Sequence, residues 1–241
     1  MGQMSLLRHY KNLWFYNFHR FEGNNVYRMS SYFADILIMD MEEFMLLDNK
    51  TVLDVGGSSG IYCKILAERR NCMSVNLDLS PGEYVWPRTV IGVGEHIPFP
   101  DSEFDLLICR GVLEHIPQMR QQIVLDEMCR VLRPGGFCYI VIPPWYNFHA
   151  GHGLKPFHIL PFKLGRYLRK LCFGNEISAD SLDEMNLYPI TFRRIAKIIG
   201  ESEFRIVATR DTHFRLHCLT RIPVVREIMV PAVAFIVRKN F

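Results

Sequence analysis

Residues 53–60 have the composition of a ligand-binding turn. They read Leu-Asp-Val-Gly-Gly-Ser-Ser-Gly and end a short strand-like segment at 51–55. Small residues let the backbone approach a ligand closely, and a helix that follows directs its N-terminal N–H groups at the same space. In open α/β sheets, ligands bind at the carboxyl ends of strands. The run therefore predicts a binding site here, and a tight strand-to-helix connection without a ligand is the alternative interpretation.

Two carboxylates indicate which ligand this turn would bind. Asp78 ends the second strand-like segment, roughly 20 residues after the glycines, where an acidic side chain accepts hydrogen bonds from ribose hydroxyls. Asp54 precedes the glycines, and its charge would repel a pyrophosphate. The spacing also departs from the dinucleotide pattern G-x-G-x-x-G, because Ser58 and Ile61 occupy its later glycine positions. A ligand with a ribose and an ammonium group fits better, and S-adenosylmethionine has that composition.

Histidines supply candidate proton acceptors for chemistry beside this turn. His115 follows the fourth strand-like segment, and His149, His152 and His158 lie in one later stretch. A neutral imidazole can take a proton from an acceptor hydroxyl near neutral pH, so His115, His152 and His158 are candidate general bases. The later histidines are irregularly spaced without a nearby cysteine or carboxylate, and we predict no metal site. The pair Glu114-His115 could equally begin a helix without any chemical role.

Alternating strand and helix signals surround the turn and must position these side chains. Strand-like patterns occur at 51–55, 73–78, 90–93, 104–109, 137–142, 204–209 and 232–237. Helix-like patterns occur at 61–70, 117–132 and 191–199, and Pro134-Gly135-Gly136 is expected to stop the second of these. Alternation of this kind requires right-handed crossovers and predicts an α/β fold with a mostly parallel, doubly wound sheet.

Two segments stand outside this alternation. Residues 1–48 carry apolar side chains at helical spacing, which predicts a helical cap with one helix near 6–18 and a second that begins at Ser30 and Ser31. Residues 49–241 form the main domain, interrupted by an insert at about 145–188 that is rich in histidine and aromatic residues. Long insertions in compact domains are usually functional, so we expect the cap and the insert to form the walls of an acceptor pocket.

Four segments, in order and spacing, resemble a known enzyme family. They are LDVGGSSG at 53–60, NLDLS at 76–80, GEHIPFPDSEFDLLICRGVLEHI at 94–116 and RVLRPGGFCYIVIP at 130–143. Over about residues 50–145 the sequence resembles class I S-adenosylmethionine-dependent methyltransferases of the type 11 small-molecule group. The resemblance implies a Rossmann-like, doubly wound, mostly parallel seven-stranded sheet with N-terminal helices and an insert after strand 5.

The resemblance also implies a set of cofactor-binding residues. They are Asp54, Gly56, Gly57, Gly60, Asp78, Leu79, Gly94, Glu95 and Arg110. Gly56 and Gly60 would approach the methionine part, and Asp54 would support their loop and the ammonium group. Asp78 would hold the ribose, Leu79 would pack on the adenine, and Gly94 with Glu95 would lie at the adenine edge. Arg110 would contact the amino-acid portion.

Three positions qualify the resemblance. Ser58 replaces the second glycine of the family's turn, and Val93 replaces an acidic residue that often binds the adenine amino group. Backbone groups or Glu95 would have to take over that contact. After the fourth strand the sequence reads Cys-Arg-Gly-Val at 109–112, which differs from the (Asn/Asp)-Pro-Pro-(Tyr/Phe) motif of amino-directed nucleic-acid methyltransferases. We therefore expect a small-molecule acceptor and no nucleic acid.

Composition indicates which partners and which cellular compartment to expect. The net charge of +3 is too small to indicate nucleic-acid binding by itself, and the seven scattered cysteines indicate reduced, mostly buried thiols. The N-terminal residues lack the long apolar run of a secretory signal, so we expect a cytoplasmic protein. The basic amphipathic stretch at 155–172 could contact an anionic membrane surface peripherally, or form a solvated helix face over the substrate site.

The function predicted from the sequence is methyl transfer from S-adenosylmethionine to a small molecule. O-methylation of a glycan or sugar hydroxyl is placed ahead of a lipid or quinone acceptor. The alternatives are a non-catalytic protein that binds S-adenosylmethionine and a nucleotide-dependent oxidoreductase. The failed dinucleotide spacing disfavours the oxidoreductase.

Overall fold

Strands and helices alternate through most of the chain in the computed structural model, which describes residues 9–11, 25–82, 86–174 and 176–240. The strands are β1 (Thr51–Val55), β2 (Met73–Asp78), β3 (Thr89–Ile91), β4 (Phe104–Arg110), β5 (Leu132–Ile142), β6 (Phe204–Asp211) and β7 (Val233–Lys239). The helices are α1 (Asn25–Met41), α2 (Ile61–Arg70), α3 (Gln121–Val131), α4 (Phe162–Phe173), α5 (Phe192–Gly200) and α6 (Pro223–Ile228).

The strands form one seven-stranded sheet in the order β3-β2-β1-β4-β5-β7-β6. β1 pairs in parallel with β2 on one side and with β4 on the other. β7 runs antiparallel to both β5 and β6. The chain moves outward from β1 to β3 and then returns to β4, so strand order reverses between β1 and β4. The predicted doubly wound, mostly parallel sheet is confirmed, and its switch point is the place where such sheets bind ligands.

Both faces of the sheet are covered, and this explains the continuous apolar strands. In β1, Leu53 packs with α3 and α5 on one face, whereas Val52 packs with α1 and α2 on the other. α1 contributes Ile36 and Leu37 to this second layer. Five of the seven cysteines are buried in the fold, as expected from their scattered spacing.

Two helix boundaries follow from local chemistry. α2 ends at Asn71, which adopts a left-handed conformation and donates its backbone N–H to the Ala67 carbonyl oxygen. α5 begins after Thr191, whose hydroxyl accepts the Arg194 backbone N–H. Both boundaries agree with the helix ends predicted from the sequence, because N-caps and left-handed C-caps depend on residues next to the helix end.

Other predicted boundaries were wrong. α1 begins at Asn25, so Ser30 and Ser31 lie inside the helix and do not cap it. Residues 9–11 are helical, and the rest of the helix predicted near 6–18 lies outside the described residues. α3 begins at Gln121 after a turn closed by the Arg120 N–H and the Pro117 carbonyl.

The Pro-Gly-Gly sequence at 134–136 belongs to β5 instead of stopping α3, which ends before it at Val131. β5 pairs with β4 through an irregularity: Phe104 faces Leu132, whereas Leu106 faces Phe137. The three residues are accommodated in this break of register, as prolines and glycines in strands usually are.

Candidate cofactor and acceptor site

The turn after β1 is shaped by a close approach at Gly56. Its φ is +71°, and a Cβ on this residue would lie 2.4 Å from a methyl carbon of Val112. Its backbone N–H donates to the Leu77 carbonyl oxygen at 2.7 Å, which ties the turn to β2. Only glycine meets both demands, because it alone adopts this conformation without steric cost.

Asp54 lies beneath this turn. The residue is 2% exposed, and one carboxyl oxygen has no hydrogen-bond partner among the described residues. The pKa of Asp54 is raised to about 7, because the rise caused by burial exceeds the lowering by the charge of Arg110 and the charge of Asp78 adds a smaller rise. The carboxyl of Asp54 lies close to Gly57, and its support of the loop and of an ammonium group stays a prediction.

Gly57 and Gly60 lie closely against neighbouring side chains. A Cβ on Gly57 would lie 2.3 Å from oxygens of both Asp54 and Asn76, and a Cβ on Gly60 would lie 2.5 Å from Cβ of Trp86. The expectation that these glycines contact the cofactor through their backbone stays a prediction. Gly56 reaches the cavity wall, and the other two permit tight packing underneath.

A cavity of about 590 Å³, here called the switch-point cavity, opens at the carboxyl ends of β1, β2 and β4. Among the predicted cofactor residues, its wall includes Gly56, Asp78, Leu79, Gly94 and Glu95. These predicted residues lie together at one edge of the sheet, because parallel strands bring their carboxyl ends to one place.

Asp78 is oriented by two backbone groups. Its carboxyl oxygens accept the N–H of Ser58 at 2.7 Å and the N–H of Ser80 at 2.8 Å. Each carboxylate oxygen retains a further lone pair, so the side chain can still accept hydrogen bonds from hydroxyl groups. Across the cavity, Glu95 lies 3.8 Å from a guanidinium nitrogen of Arg120.

A second cavity of about 290 Å³, here called the insert cavity, lies beside the first and shares Gly111 with it. Its wall includes Phe33 from α1, Arg110 from β4, Glu114, and His152 from the insert. The predicted contribution of the N-terminal region and the insert to a pocket wall is therefore confirmed at these residues.

Arg110 lies on the insert cavity, and its contact with the amino-acid portion of the cofactor stays a prediction. Its guanidinium carbon is 4.8 Å from the ring centre of Phe33 and 5.7 Å from that of Tyr62. Contacts between a guanidinium and aromatic faces are attractive, and these hold the side chain toward α1.

Glu114, His115 and His152 meet where the two cavities join. Glu114 is 4% exposed, and its Oε2 has no hydrogen-bond partner among the described residues. Nδ1 of His115 lies 2.7 Å from the carbonyl oxygen of Asn186, and the ring centres of His115 and His152 are 4.7 Å apart. One potential ligand atom from each of the three side chains lies within 4.8 Å of the others. Sequence analysis missed this cluster because residues 115 and 152 are far apart in the chain.

Residues 53–140 match the family described as a methyltransferase domain. Over these residues the chain is similar to a methyltransferase domain. An uncharacterized methyltransferase of Mycobacterium sp. (strain JLS) is 33% identical over 130 residues, which are 50% of each chain. One from Mycobacteroides abscessus is 24% identical over 209 residues, 81% of this chain and 79% of the relative. The chain spans about half the length of the first curated relatives that it matches.

Solved structures share the fold of this methyltransferase domain at low sequence identity. A geranyl diphosphate C-methyltransferase from Streptomyces coelicolor A3(2) has a TM-score of 0.57 at 14% identity, covering 88% of this chain and 77% of its own. An S-adenosylmethionine-dependent methyltransferase from Methanosarcina mazei has a TM-score of 0.55 at 17% identity, covering 84% and 97%. The likeness extends beyond the matched domain to most of the sheet and its helices.

His158 is not among the described residues that line the two cavities, and its role as a general base stays a prediction. The side chain is buried, and its Nε2 lies 2.7 Å from the Trp145 carbonyl oxygen. A Cβ on Gly151 would lie 2.2 Å from that of His158, so the ring fills space inside the insert.

His213 is a residue of the insert cavity that sequence analysis missed. Burial, together with the positive charge of Arg110, lowers its pKa to about 3, so the imidazole is neutral over the physiological range. Burial likewise lowers the pKa of His149, which lines the same cavity. The sequence signal that could have identified His213 was its position shortly after the strand-like segment at 204–209, at the same edge of the sheet as Gly56.

The basic amphipathic stretch forms α4, which presents an apolar surface. Leu164, Tyr167 and Leu171 are between 45% and 67% exposed at helical spacing, with Lys163 and Lys170 on the same helix. Lys170 pairs with Glu176 at 2.7 Å. Among the helices of the described residues, none has the length and apolar character needed to cross a membrane.

Proposed function

We propose that this protein transfers a methyl group from S-adenosylmethionine to a hydroxyl of a small molecule, with a sugar or glycan hydroxyl as the leading class. The observation that carries this proposal is the junction of the two cavities at Gly111 and the Glu114-His115-His152 cluster. One cavity can take the donor and the other the acceptor, and polar side chains stand between them. Holding two reactants in fixed orientation is the main requirement for methyl transfer.

The switch-point cavity fits the donor. Asp78 would accept hydrogen bonds from the ribose hydroxyls, and Leu79 with Gly94 would lie against the adenine. Gly56 allows the close approach of the methionine part, because its missing side chain leaves the backbone exposed to the cavity. The buried carboxyl of Asp54, with one unpartnered oxygen, would favour a positively charged group on the other side of the turn.

The reaction needs little from the protein besides orientation and proton removal. When bound, S-adenosylmethionine supplies an electrophilic methyl group on a sulfonium centre. Since the Asn186 carbonyl can only accept a hydrogen bond, Nδ1 of His115 carries the proton and Nε2 keeps its lone pair. His115, or His152 beside it, would take the proton of the acceptor hydroxyl through such a lone pair.

The composition of the insert cavity favours a polyol acceptor. Arg110, His149, His152 and Lys155 offer polar groups, whereas Phe33 supplies an apolar aromatic face. Sugars present hydroxyls around their rim and C–H groups on their faces, so they can use both kinds of surface. A purely apolar acceptor would place hydrocarbon against these charged and polar groups and remove them from water, which costs binding energy.

A lipid-linked acceptor is the second candidate, and one observation favours it. The exposed apolar side chains of α4 and its lysines are the pattern of a helix that lies on an anionic membrane. Sedimentation with vesicles containing phosphatidylserine, compared with neutral phosphatidylcholine vesicles, tests this. Binding that Leu164→Glu with Leu171→Glu abolishes would support it, and equal recovery in the supernatant with both vesicle types would end it.

Two measurements test the leading proposal in sequence. Calorimetry should show binding of S-adenosylhomocysteine and no binding of NADH, and the reverse result would exclude a methyltransferase. Transfer of a labelled methyl group to fractionated small-molecule extracts, with mass spectrometry of the product, then identifies the acceptor. Cofactor binding without transfer to any fraction would favour the alternative of a non-catalytic binding protein.

A further inference from the structure

We propose that Glu114, His115 and His152 bind a divalent transition-metal cation at the junction of the two cavities. The inference deepens the proposed function and rests on it for the role of the site, whereas the binding itself rests on geometry. Two imidazoles and one carboxylate form a ligand set suited to ions such as Mn²⁺, Co²⁺ and Zn²⁺.

The three side chains are close enough to share one ion. One ligand atom from each lies within 4.8 Å of the other two. Ligand atoms about 2.0–2.2 Å from one cation lie about 3–4 Å from each other. The remaining difference is within the range of side-chain rotation, because the cluster is already gathered by a short helical turn at Leu113–His115 and another at His152–Leu154.

The buried carboxyl of Glu114 independently points to a cation. The side chain is 4% exposed at the wall of the insert cavity, yet its Oε2 has no hydrogen-bond partner among the described residues. A buried carboxylate without compensation costs several kcal/mol, so such groups are normally paired or bound to metal. A cation bound to this oxygen would remove that cost.

His115 has the second contact that is typical of metal-binding histidines. Its Nδ1–H donates to the Asn186 carbonyl at 2.7 Å, which fixes the ring and leaves Nε2 as the ligand atom. The adjacent Tyr188 backbone N–H donates to the Glu114 carbonyl at 2.7 Å. The segment that carries Asn186 and Tyr188 is therefore attached to the turn that carries both potential ligands.

The position of the cluster indicates what the cation would do. His115 lines the switch-point cavity, whereas Glu114 and His152 line the insert cavity. Three protein ligands leave coordination positions open, as in catalytic metal sites. An acceptor hydroxyl in such a position would have a lower pKa and release its proton to water. Its oxygen then forms the bond to the methyl carbon as the carbon–sulfur bond breaks, and that electron pair stays on sulfur.

Cobalt spectroscopy tests the binding without relying on turnover. The full chain, freed of metal with a chelator and carrying Cys172→Ser and Cys218→Ser to remove its two exposed thiols, is titrated with Co²⁺. We expect saturation at one equivalent, with visible absorption bands of nitrogen and oxygen coordination, and displacement by Zn²⁺. Glu114→Gln and His152→Ala should each weaken binding at least about tenfold.

The matched control is His96→Ala, which removes an exposed histidine that belongs to neither cavity wall. Its affinity for Co²⁺ should equal that of the parent. Circular dichroism and S-adenosylhomocysteine binding, measured on the same samples, report folding. Equal affinity of the parent and Glu114→Gln, or no saturable binding, would overturn the metal site.

Failure of this inference is distinguishable from failure of the proposed function. A folded chain that binds S-adenosylhomocysteine but no Co²⁺ keeps the methyltransferase proposal and loses the metal. Methyl transfer at full rate in the presence of chelator also sinks the metal and leaves the imidazoles as proton acceptors. Saturable Co²⁺ binding without any binding of S-adenosylhomocysteine overturns the proposed function alone.

Discussion

The backbone N–H of Ser58 donates to a carboxyl oxygen of Asp78 at 2.7 Å, and this bond joins the turn after β1 to the end of β2. Asp78 therefore has two tasks, because it orders the turn and faces the switch-point cavity. We expect Asp78→Ala to weaken S-adenosylhomocysteine binding by about 1–3 kcal/mol, a factor of about 5 to 150. Isothermal calorimetry measures this.

Asp126→Ala is the matched control for this change, since Asp126 is an exposed aspartate on α3 away from both cavities. Its affinity for S-adenosylhomocysteine should equal that of the parent. Unchanged affinity in a folded Asp78→Ala variant would mean that the ribose lies elsewhere.

Gly57→Ala should destabilise the fold through overpacking. The added methyl group would lie 2.3 Å from oxygens of Asp54 and Asn76, both of which are buried. We expect a loss of about 1–3 kcal/mol in the free energy of unfolding. Gly82→Ala is the control, because none of the described residues beyond its chain neighbours lies within 4 Å of its added Cβ. Urea denaturation compares the two, and equal midpoints would contradict the tight turn.

Cofactor affinity should depend on the ionisation of Asp54. Without ligand, burial holds the pKa of Asp54 at about 7, so its carboxyl is largely neutral at pH 6 and ionised at pH 8. A bound ammonium group favours the carboxylate, and binding must therefore strengthen as pH rises toward 7, by up to about tenfold per pH unit. Calorimetry with S-adenosylhomocysteine at pH 6 and 8 measures the slope.

Asp54→Asn should bind more weakly at pH 8 and should lose most of this pH dependence, because no proton is released at this position. Asp126→Asn should retain the slope of the parent. A slope that persists in Asp54→Asn would assign the titration to another group.

His213 should reduce stability in acid. Its folded pKa of about 3 lies below the ordinary value of 6.5, so the unfolded chain takes up a proton first as pH falls. The stability contributed by the neutral ring is present above pH 6.5 and is lost toward pH 3, on the order of 3 kcal/mol. His213→Gln should flatten this loss, as measured by urea unfolding at pH 7 and pH 4. An identical pH difference in parent and variant would show that the ring is solvated.

The sequence by itself determined the sheet, the turn after β1 and the place of Asp78. These depend on local rules: apolar runs for buried strands, small residues at a tight turn, and the carboxyl ends of parallel strands at one edge. Such rules act within a few residues of the chain, so they can be recognised without knowing what packs on the outside. The absence of a Cβ on Gly56 is visible in the sequence, although its neighbour Val112 is not.

Only the tertiary structure decided which polar side chains share a site. It brought His152 to Glu114 and His115, filled the interior of the insert with His158, and directed Arg110 toward Phe33 on α1. Each outcome depends on contacts between residues distant in the chain and on the side of the backbone that each side chain occupies. Residue type and spacing leave these free, because one histidine can fill a core or face a cavity, and packing around it determines which.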